Sequence, residues 1–235
     1  MAKMDCIRAG YRAVIVGATG GIGSALYQSL EADENCSKCV GLGRSTWPAT
    51  DLLDETSIQK ASSLLSKDAP FHLIIDATGL LHDDEVMPEK TIDGVDPTAM
   101  ARSFAVNATG PLLLLKHFRK LLPRDEPSVF ATISARVGSI SDNQLGGWYG
   151  YRASKAALNM FVKTASIEIA RKRPQAICLA LHPGTVRTEL SKPFAGKRAL
   201  LEPDEAAERL LSVVGQSTVG DNGSFFAHDG QRIPW

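Results

Sequence analysis

Val14-Ile15-Val16-Gly17-Ala18-Thr19-Gly20-Gly21-Ile22-Gly23 joins a strand-like run to a helix-like one, and its reading decides the fold. Residues 11–17 are mostly apolar and bounded by glycines, the pattern of a buried strand, and residues 21–32 carry helical spacing. Gly17, Gly21 and Gly23 remove side chains just where that helix begins. A helix N-terminus presents unsatisfied N–H groups and the positive end of the dipole, so an anion can settle there when no side chain blocks it. Strand, glycine turn and helix in this order predict a pyrophosphate-binding turn at Gly17, Thr19, Gly20, Gly21, Ile22 and Gly23. The spacing is G-x-x-x-G-x-G rather than G-x-G-x-x-G, and the bland alternative is a flexible turn.

Strand and helix patterns keep alternating beyond that turn. Strands are expected at 39–43, 71–75, 129–133, 177–181 and 224–227. Helices are expected after an N-cap at Asp54, over 98–122 where Pro123 stops the run, over 150–171 and over 203–214. Such alternation implies right-handed crossovers and a mostly parallel sheet covered on both faces. Neither a linker nor a repeat divides the chain, so an α/β fold is predicted, a single doubly wound Rossmann domain over 1–235. Twenty-six basic residues balance 26 acidic ones, which gives no global field to attract nucleic acid or an anionic membrane. The apolar run 111–115 stops at Lys116, far short of a membrane span, and the N-terminus lacks a secretory pattern. A cytoplasmic protein with reduced cysteines at 6, 36, 39 and 178 and no metal site is expected.

Tyr151-Arg152-Ala153-Ser154-Lys155 places a phenol and an ammonium four residues apart, on one face of the expected helix. A phenol normally ionises near pH ~10, and a neighbouring cation lowers that value. The pair is suited to moving a proton to or from a substrate oxygen; a surface helix with a snorkelling lysine is the alternative. After the second strand, Gly43-Arg44-Ser45 offers a guanidinium where an acid would otherwise bind a ribose 2′-hydroxyl. Arg44 suits a 2′-phosphate, so NADP(H) is preferred over NAD(H). Asp51 reads equally as an acceptor for an adenine amino group or as a turn residue.

Taken together, these residues resemble the short-chain dehydrogenase/reductase family over nearly the whole chain. The glycine turn matches, as do Asn107 in Phe104-Ala105-Val106-Asn107-Ala108-Thr109-Gly110, Tyr151 with Lys155, and Pro183-Gly184 in His182-Pro183-Gly184-Thr185-Val186-Arg187-Thr188. Gly146 to Asn159 and the ending His228 to Trp235 look like the family's C-factor-like branch. The resemblance implies a seven-stranded sheet and reversible hydride transfer between NADP(H) and a small carbonyl or alcohol. It implies Tyr151 as general acid/base, Lys155 lowering its pKa and holding the nicotinamide ribose, and Asn107 orienting Lys155 through a water. It extends the cofactor contacts to Ser45, Leu52, Ala77, Gly79, Asn107, Pro183, Gly184, Val186 and Thr188. A homodimer or homotetramer through the two long helices is also implied. Trp148, Tyr149, Leu80 and the segment after Thr188 are expected to line the substrate mouth, and residues 189–198 to form a lid.

Two departures from the family stand out. Its Asn-Asn-Ala-Gly appears as Asp76-Ala77-Thr78-Gly79. Its Ser-Ser-x-x-Gly appears as Ser134-Ala135-Arg136-Val137-Gly138, which puts alanine at the serine's register. Ser134 is the expected catalytic serine, provided that a bulge or turn re-aims it; Ser139 is the second choice, and no serine the third. The third choice also supports the other functional reading, a cofactor-binding signalling or regulatory protein with little turnover.

Overall fold

Tyr11–Val16 forms the first strand (β1), and Gly21–Glu31 the helix that follows it (α1). The computed structural model describes residues 4–194 and 200–235. Further along lie β2 (Cys36–Leu42), α2 (Glu55–Leu65), β3 (Leu73–Asp76), α3 (Pro97–Phe104), α4 (Gly110–Phe118), β4 (Ser128–Ile133), α5 (Tyr149–Ala170), β5 (Ala176–His182), α6 (Pro203–Gly215) and β6 (Ser224–Ala227). Asp54 caps α2 as expected, its carboxylate accepting from the Thr56 N–H.

The strands form one parallel sheet in the order β2-β1-β3-β4-β5-β6. Helices cover both faces. Val14, Val16, Phe130, Cys178 and Ala180 pack toward α2, α4 and α5. Ala13, Ile15, Ala131, Ile133, Leu179 and Leu181 pack toward α1 and α6. The sheet is buried on both sides, which is why its strands read as near-continuous apolar runs.

Six strands are found among the described residues where seven were expected. The reason is local. Residues 43–54 link β2 directly to α2, too short a stretch for the helix and strand that a further parallel crossover needs. A single parallel bridge, Gly43 to Ala49, stands beyond β2 in place of that strand. The helix expected over 98–122 is also divided. Residues 105–109 wind as a π-turn between α3 and α4, and Asn107 sits in its middle. Such insertions re-aim side chains and recur at functional sites.

The strand order reverses between β1 and β3. In a doubly wound sheet, the crevice at that switch point, beyond the carboxyl ends of the strands, is where ligands bind. No helix of the described residues is long and apolar enough to cross a membrane.

Candidate active site

The glycine turn lies at the carboxyl end of β1, and its packing explains its composition. A Cβ at Gly23 would stand 2.0 Å from the Gly17 carbonyl oxygen, so the turn closes only without one. Gly20 caps α1 with no side-chain hydrogen bond, and no acid stands in the first helical turn. The amides at the start of α1 therefore face outward with the positive end of the dipole. A pyrophosphate fits this end of the helix. Thr188 arches over it: a Cβ at Gly21 would meet Thr188 Cγ2 at 2.6 Å. Thr19 and Gly20 are exposed, and Ile22 packs into the core below.

Arg44 and Ser45 are exposed just past β2, and Arg44 has no ion pair among the described residues. Its guanidinium is free to receive a phosphate. Asp51 closes a turn, Oδ1 accepting from the Leu53 N–H at 3.0 Å. Leu52 is buried against Gly110. Beyond β5, Pro183 and Val186 are buried, and Val186 bridges to Leu201. The sheet thus brings the glycine turn, Arg44, Ala77, Gly79 and residues 183–188 to one edge, in positions that fit a dinucleotide.

Asp76 ends β3 fully buried. Its carboxylate accepts from the N–H and hydroxyl of Thr78 and from the Thr132 hydroxyl at 2.8 Å. Burial raises its pKa. The family's asparagine contacts are thus replaced by an acid held on two threonines. Gly79 follows. A Cβ there would lie 3.5 Å from Lys155 Nζ and 3.7 Å from Asn107 Oδ1, so these three residues meet.

Asn107 is wholly buried, and its amide is fully engaged. Oδ1 accepts from the Leu80 N–H at 2.8 Å; Nδ2 donates to the Leu80 carbonyl at 2.7 Å and to Ser154 Oγ at 3.2 Å. It clamps the segment after β3 against α5.

Tyr151 and Lys155 both belong to the opening turns of α5. Lys155 is buried, and its ammonium donates to the Ile133 carbonyl at 2.9 Å, 6.0 Å from the centre of the Tyr151 ring. Burial lowers the lysine to about 8, with the charge of Asp76 opposing the shift. Burial likewise pushes the half-buried Tyr151 phenol up to about 12. With the ammonium on Ile133, the expected lowering of the phenol by Lys155 is not expressed in this state. The Tyr151 hydroxyl makes no hydrogen bond among the described residues, so it is free for a substrate oxygen.

Ser134 is where the sequence reading needs correcting. No bulge re-aims it. Its N–H donates to the Leu181 carbonyl at 2.7 Å, continuing the β4–β5 ladder. Strict alternation then turns it toward α5, on the face of Phe130 and Thr132. There its hydroxyl donates to Asn159 Oδ1 at 2.6 Å, with only 2% of the residue exposed. Ser139 is buried too and accepts from the Asp142 N–H. Ala135 holds the serine's register with no hydroxyl to offer.

Trp148 stands edge-on to Tyr151, with ring centres 6.1 Å apart, and also meets Phe194 at 5.3 Å; His82 packs against Phe194 at 5.5 Å. Trp148 is therefore joined by Phe194, from the segment expected there, and by His82, which the sequence reading did not single out. Tyr149 is exposed at the first position of α5. Of the expected lid, 189–194 carry a 3-10 turn at Lys192–Phe194, and 195–198 lie outside the described residues. Glu89 was also missed; its carboxylate meets the start of α5 from 61 residues away. The only sequence hint is negative: no Ser, Thr, Asp or Asn precedes that helix.

Known proteins share this sequence pattern and fold. A family model described as enoyl-(acyl carrier protein) reductase matches residues 20–233. A 1-hydroxy-2-glutathionyl-2-methyl-3-butene dehydrogenase from Rhodococcus is 29% identical over 94% of this chain and 98% of its own. The C-signal protein of Myxococcus xanthus is 37% identical over 60% of this chain and 81% of its own. The NADPH-bound carbonyl reductase from chicken fatty liver superposes with a TM-score of 0.85 at 24% identity, over 97% of this chain and 95% of that one. The single parallel sheet, the glycine turn at its switch point and the Tyr151–Lys155 helix thus have their explanation: this chain belongs to the short-chain dehydrogenase/reductase family of oxidoreductases.

Proposed function

We propose that the protein is an NADPH-dependent reductase of small carbonyl compounds, with Tyr151 as the proton donor. The observation that carries this reading is the placement of a free Tyr151 hydroxyl one helical turn from a buried Lys155, across Gly79 from Asn107. NADPH, when bound, supplies the hydride. The outward amides of Gly21, Ile22 and Gly23 hold its pyrophosphate, and Arg44 receives the 2′-phosphate, which favours NADP(H) over NAD(H). Val186 and Thr188 flank the carboxamide end, and Asp51 contacts the adenine with the oxygen its turn leaves free.

Tyr151 Oη hydrogen-bonds the substrate carbonyl oxygen and gives up its proton as negative charge develops there. A phenol held near 12 gives up its proton less readily than an ordinary one. The Lys155 ammonium, 6.0 Å from the centre of the Tyr151 ring, would hold the nicotinamide ribose, and its charge would favour release of the phenol's proton. Asp76 keeps a counter-charge near the ammonium, and Asn107 keeps Leu80 and Ser154 in place around both. No substrate contact is assigned to Ser134. Its hydroxyl braces Asn159, which in turn donates to the Gly138 carbonyl at 3.4 Å. Trp148, His82 and Phe194 exclude water from the carbonyl.

The test is NADPH oxidation against a panel of dicarbonyls, quinones and aldehydes, with NADPH binding followed separately by fluorescence. Turnover of panel members supports the reading. Tight cofactor binding with no turnover across the panel overturns it. That outcome favours a cofactor-binding signalling role, for which the missing hydroxyl at Ala135 is the specific motive.

A further inference from the structure

Helix α5 carries the proposed proton donor, yet it begins without a cap of its own. Trp148 precedes it in the left-handed region (φ 54, ψ 44) and offers no side-chain acceptor. The helices α2 and α3 are capped in the ordinary way, by Asp54 and Asp96 directly before them. In α5 the acceptor comes from elsewhere in the chain. Glu89, only 9% exposed, receives the Gly150 N–H on both carboxylate oxygens, at 3.2 and 3.1 Å. Its main-chain carbonyl receives the Trp148 N–H at 2.5 Å. One residue thereby satisfies two of the orphan donors at this helix end and places an acid at the positive end of the dipole.

A Cβ at Gly150 would stand 2.9 Å from Glu89 Oε1, so a larger residue there would push the carboxylate away from its N–H. From the far side, the Arg152 guanidinium donates to the Gly146, Gly147 and Val137 carbonyls. Tyr151 therefore sits between two residues whose positions are fixed by hydrogen bonds to other segments. Glu89 also follows a stretch pinned at Leu80 by Asn107 and at Asp83 by Arg102. That stretch and helix α5 are thus joined at Glu89.

We propose that Glu89 is a positioning residue for the reaction: by holding the Gly150 and Trp148 amides it fixes where α5 starts and so where the Tyr151 hydroxyl stands. This rests on the reading of Tyr151 as proton donor. Misplacing a reacting group by about 1 Å can cost roughly a hundredfold in rate, so a frayed first turn has a measurable consequence.

Three variants test it: Glu89→Ala, Glu89→Gln and Gly150→Ala. The first removes the acceptor. The second keeps a neutral acceptor oxygen and should rescue. The third displaces the carboxylate while favouring helix, so it stays folded. Asp96→Ala, which removes the ordinary cap of α3, is the matched control for stability loss. Two quantities are read: kcat beside KM for NADPH, and the fluorine NMR line of Tyr151 in 3-fluorotyrosine-labelled protein, assigned by its loss in Tyr151→Phe. In Glu89→Ala and Gly150→Ala, kcat should fall at least about tenfold with KM for NADPH within about twofold, and the Tyr151 line should shift or broaden. Glu89→Gln and Asp96→Ala should leave both near wild type. An unmoved Tyr151 line with unchanged kcat in Glu89→Ala overturns the proposal, and so does an equal loss of kcat in Asp96→Ala. Should the wild type show no turnover, the reductase reading fails, and the fluorine line alone still decides whether Glu89 places the phenol.

Discussion

Replacing Ser134 by alanine separates two accounts of this site sharply. The hydroxyl removed is buried and donates to Asn159 Oδ1 at 2.6 Å. Its loss leaves that amide oxygen without its donor in the interior, at a cost of about 1–3 kcal/mol. A domain of this size loses roughly 2–4 °C of Tm per kcal/mol, so Tm should fall by roughly 2–12 °C. The chemistry should suffer far less. The hydroxyl points along the α5 face of β4 and has no free proton for a substrate, so kcat should stay within about fivefold of wild type at a temperature where the variant is folded. Were Ser134 instead the group that stabilises the developing oxyanion, kcat would fall about 100- to 1000-fold. Thermal unfolding followed by fluorescence, beside steady-state NADPH oxidation, reads both quantities on one preparation. A hundredfold loss of kcat with Tm unchanged would falsify the assignment of Ser134 to bracing Asn159.

Three further outcomes are expected. Burial holds Lys155 near 8, so in reduction kcat/KM should fall as pH rises past about 8, where the ammonium loses its charge while Tyr151 keeps its proton to about 12; a flat profile from pH 7 to 10 contradicts this. Because the folded-state lysine binds its proton more weakly than the ~10.4 of a free one, the unfolded chain takes up more protons between those values. The stability of the cofactor-free protein should therefore rise from pH 8 to 10 by more than that of Lys155→Met, as denaturant melts at each pH would show. Arg44→Glu should weaken NADPH binding at least tenfold more than NADH binding in a fluorescence titration; equal losses reject the 2′-phosphate role.

Much of the architecture is legible because it rests on local pattern. The glycine spacing at 17, 21 and 23, the apolar strands and the Tyr151-x-x-x-Lys155 pair each depend on near neighbours in the chain. The sheet loses its seventh strand because 43–54 is too short, and this could have been counted from the sequence. Other features depend on distant contacts and leave no local trace. The cap that Glu89 gives α5 spans 61 residues, and the meeting of His82, Phe194 and Trp148 joins three separate segments. Ser134 was misaimed for a different reason. Its direction follows from whether β4 stays regular past Ile133, and the ladder bond to Leu181 that keeps it regular is set by β5 rather than by its own sequence. The π-turn at 105–109 likewise reads as plain helix in the sequence.

As proposed, Tyr151 delivers the proton in an NADPH-dependent carbonyl reduction. Single-turnover reduction of a quinone or dicarbonyl by wild type and by Tyr151→Phe, with NADPH affinity measured on the same samples, tests it most directly. The variant should bind NADPH within about twofold of wild type while the rate of NADPH oxidation drops at least about a hundredfold. Full oxidation of NADPH by Tyr151→Phe at the wild-type rate would contradict it.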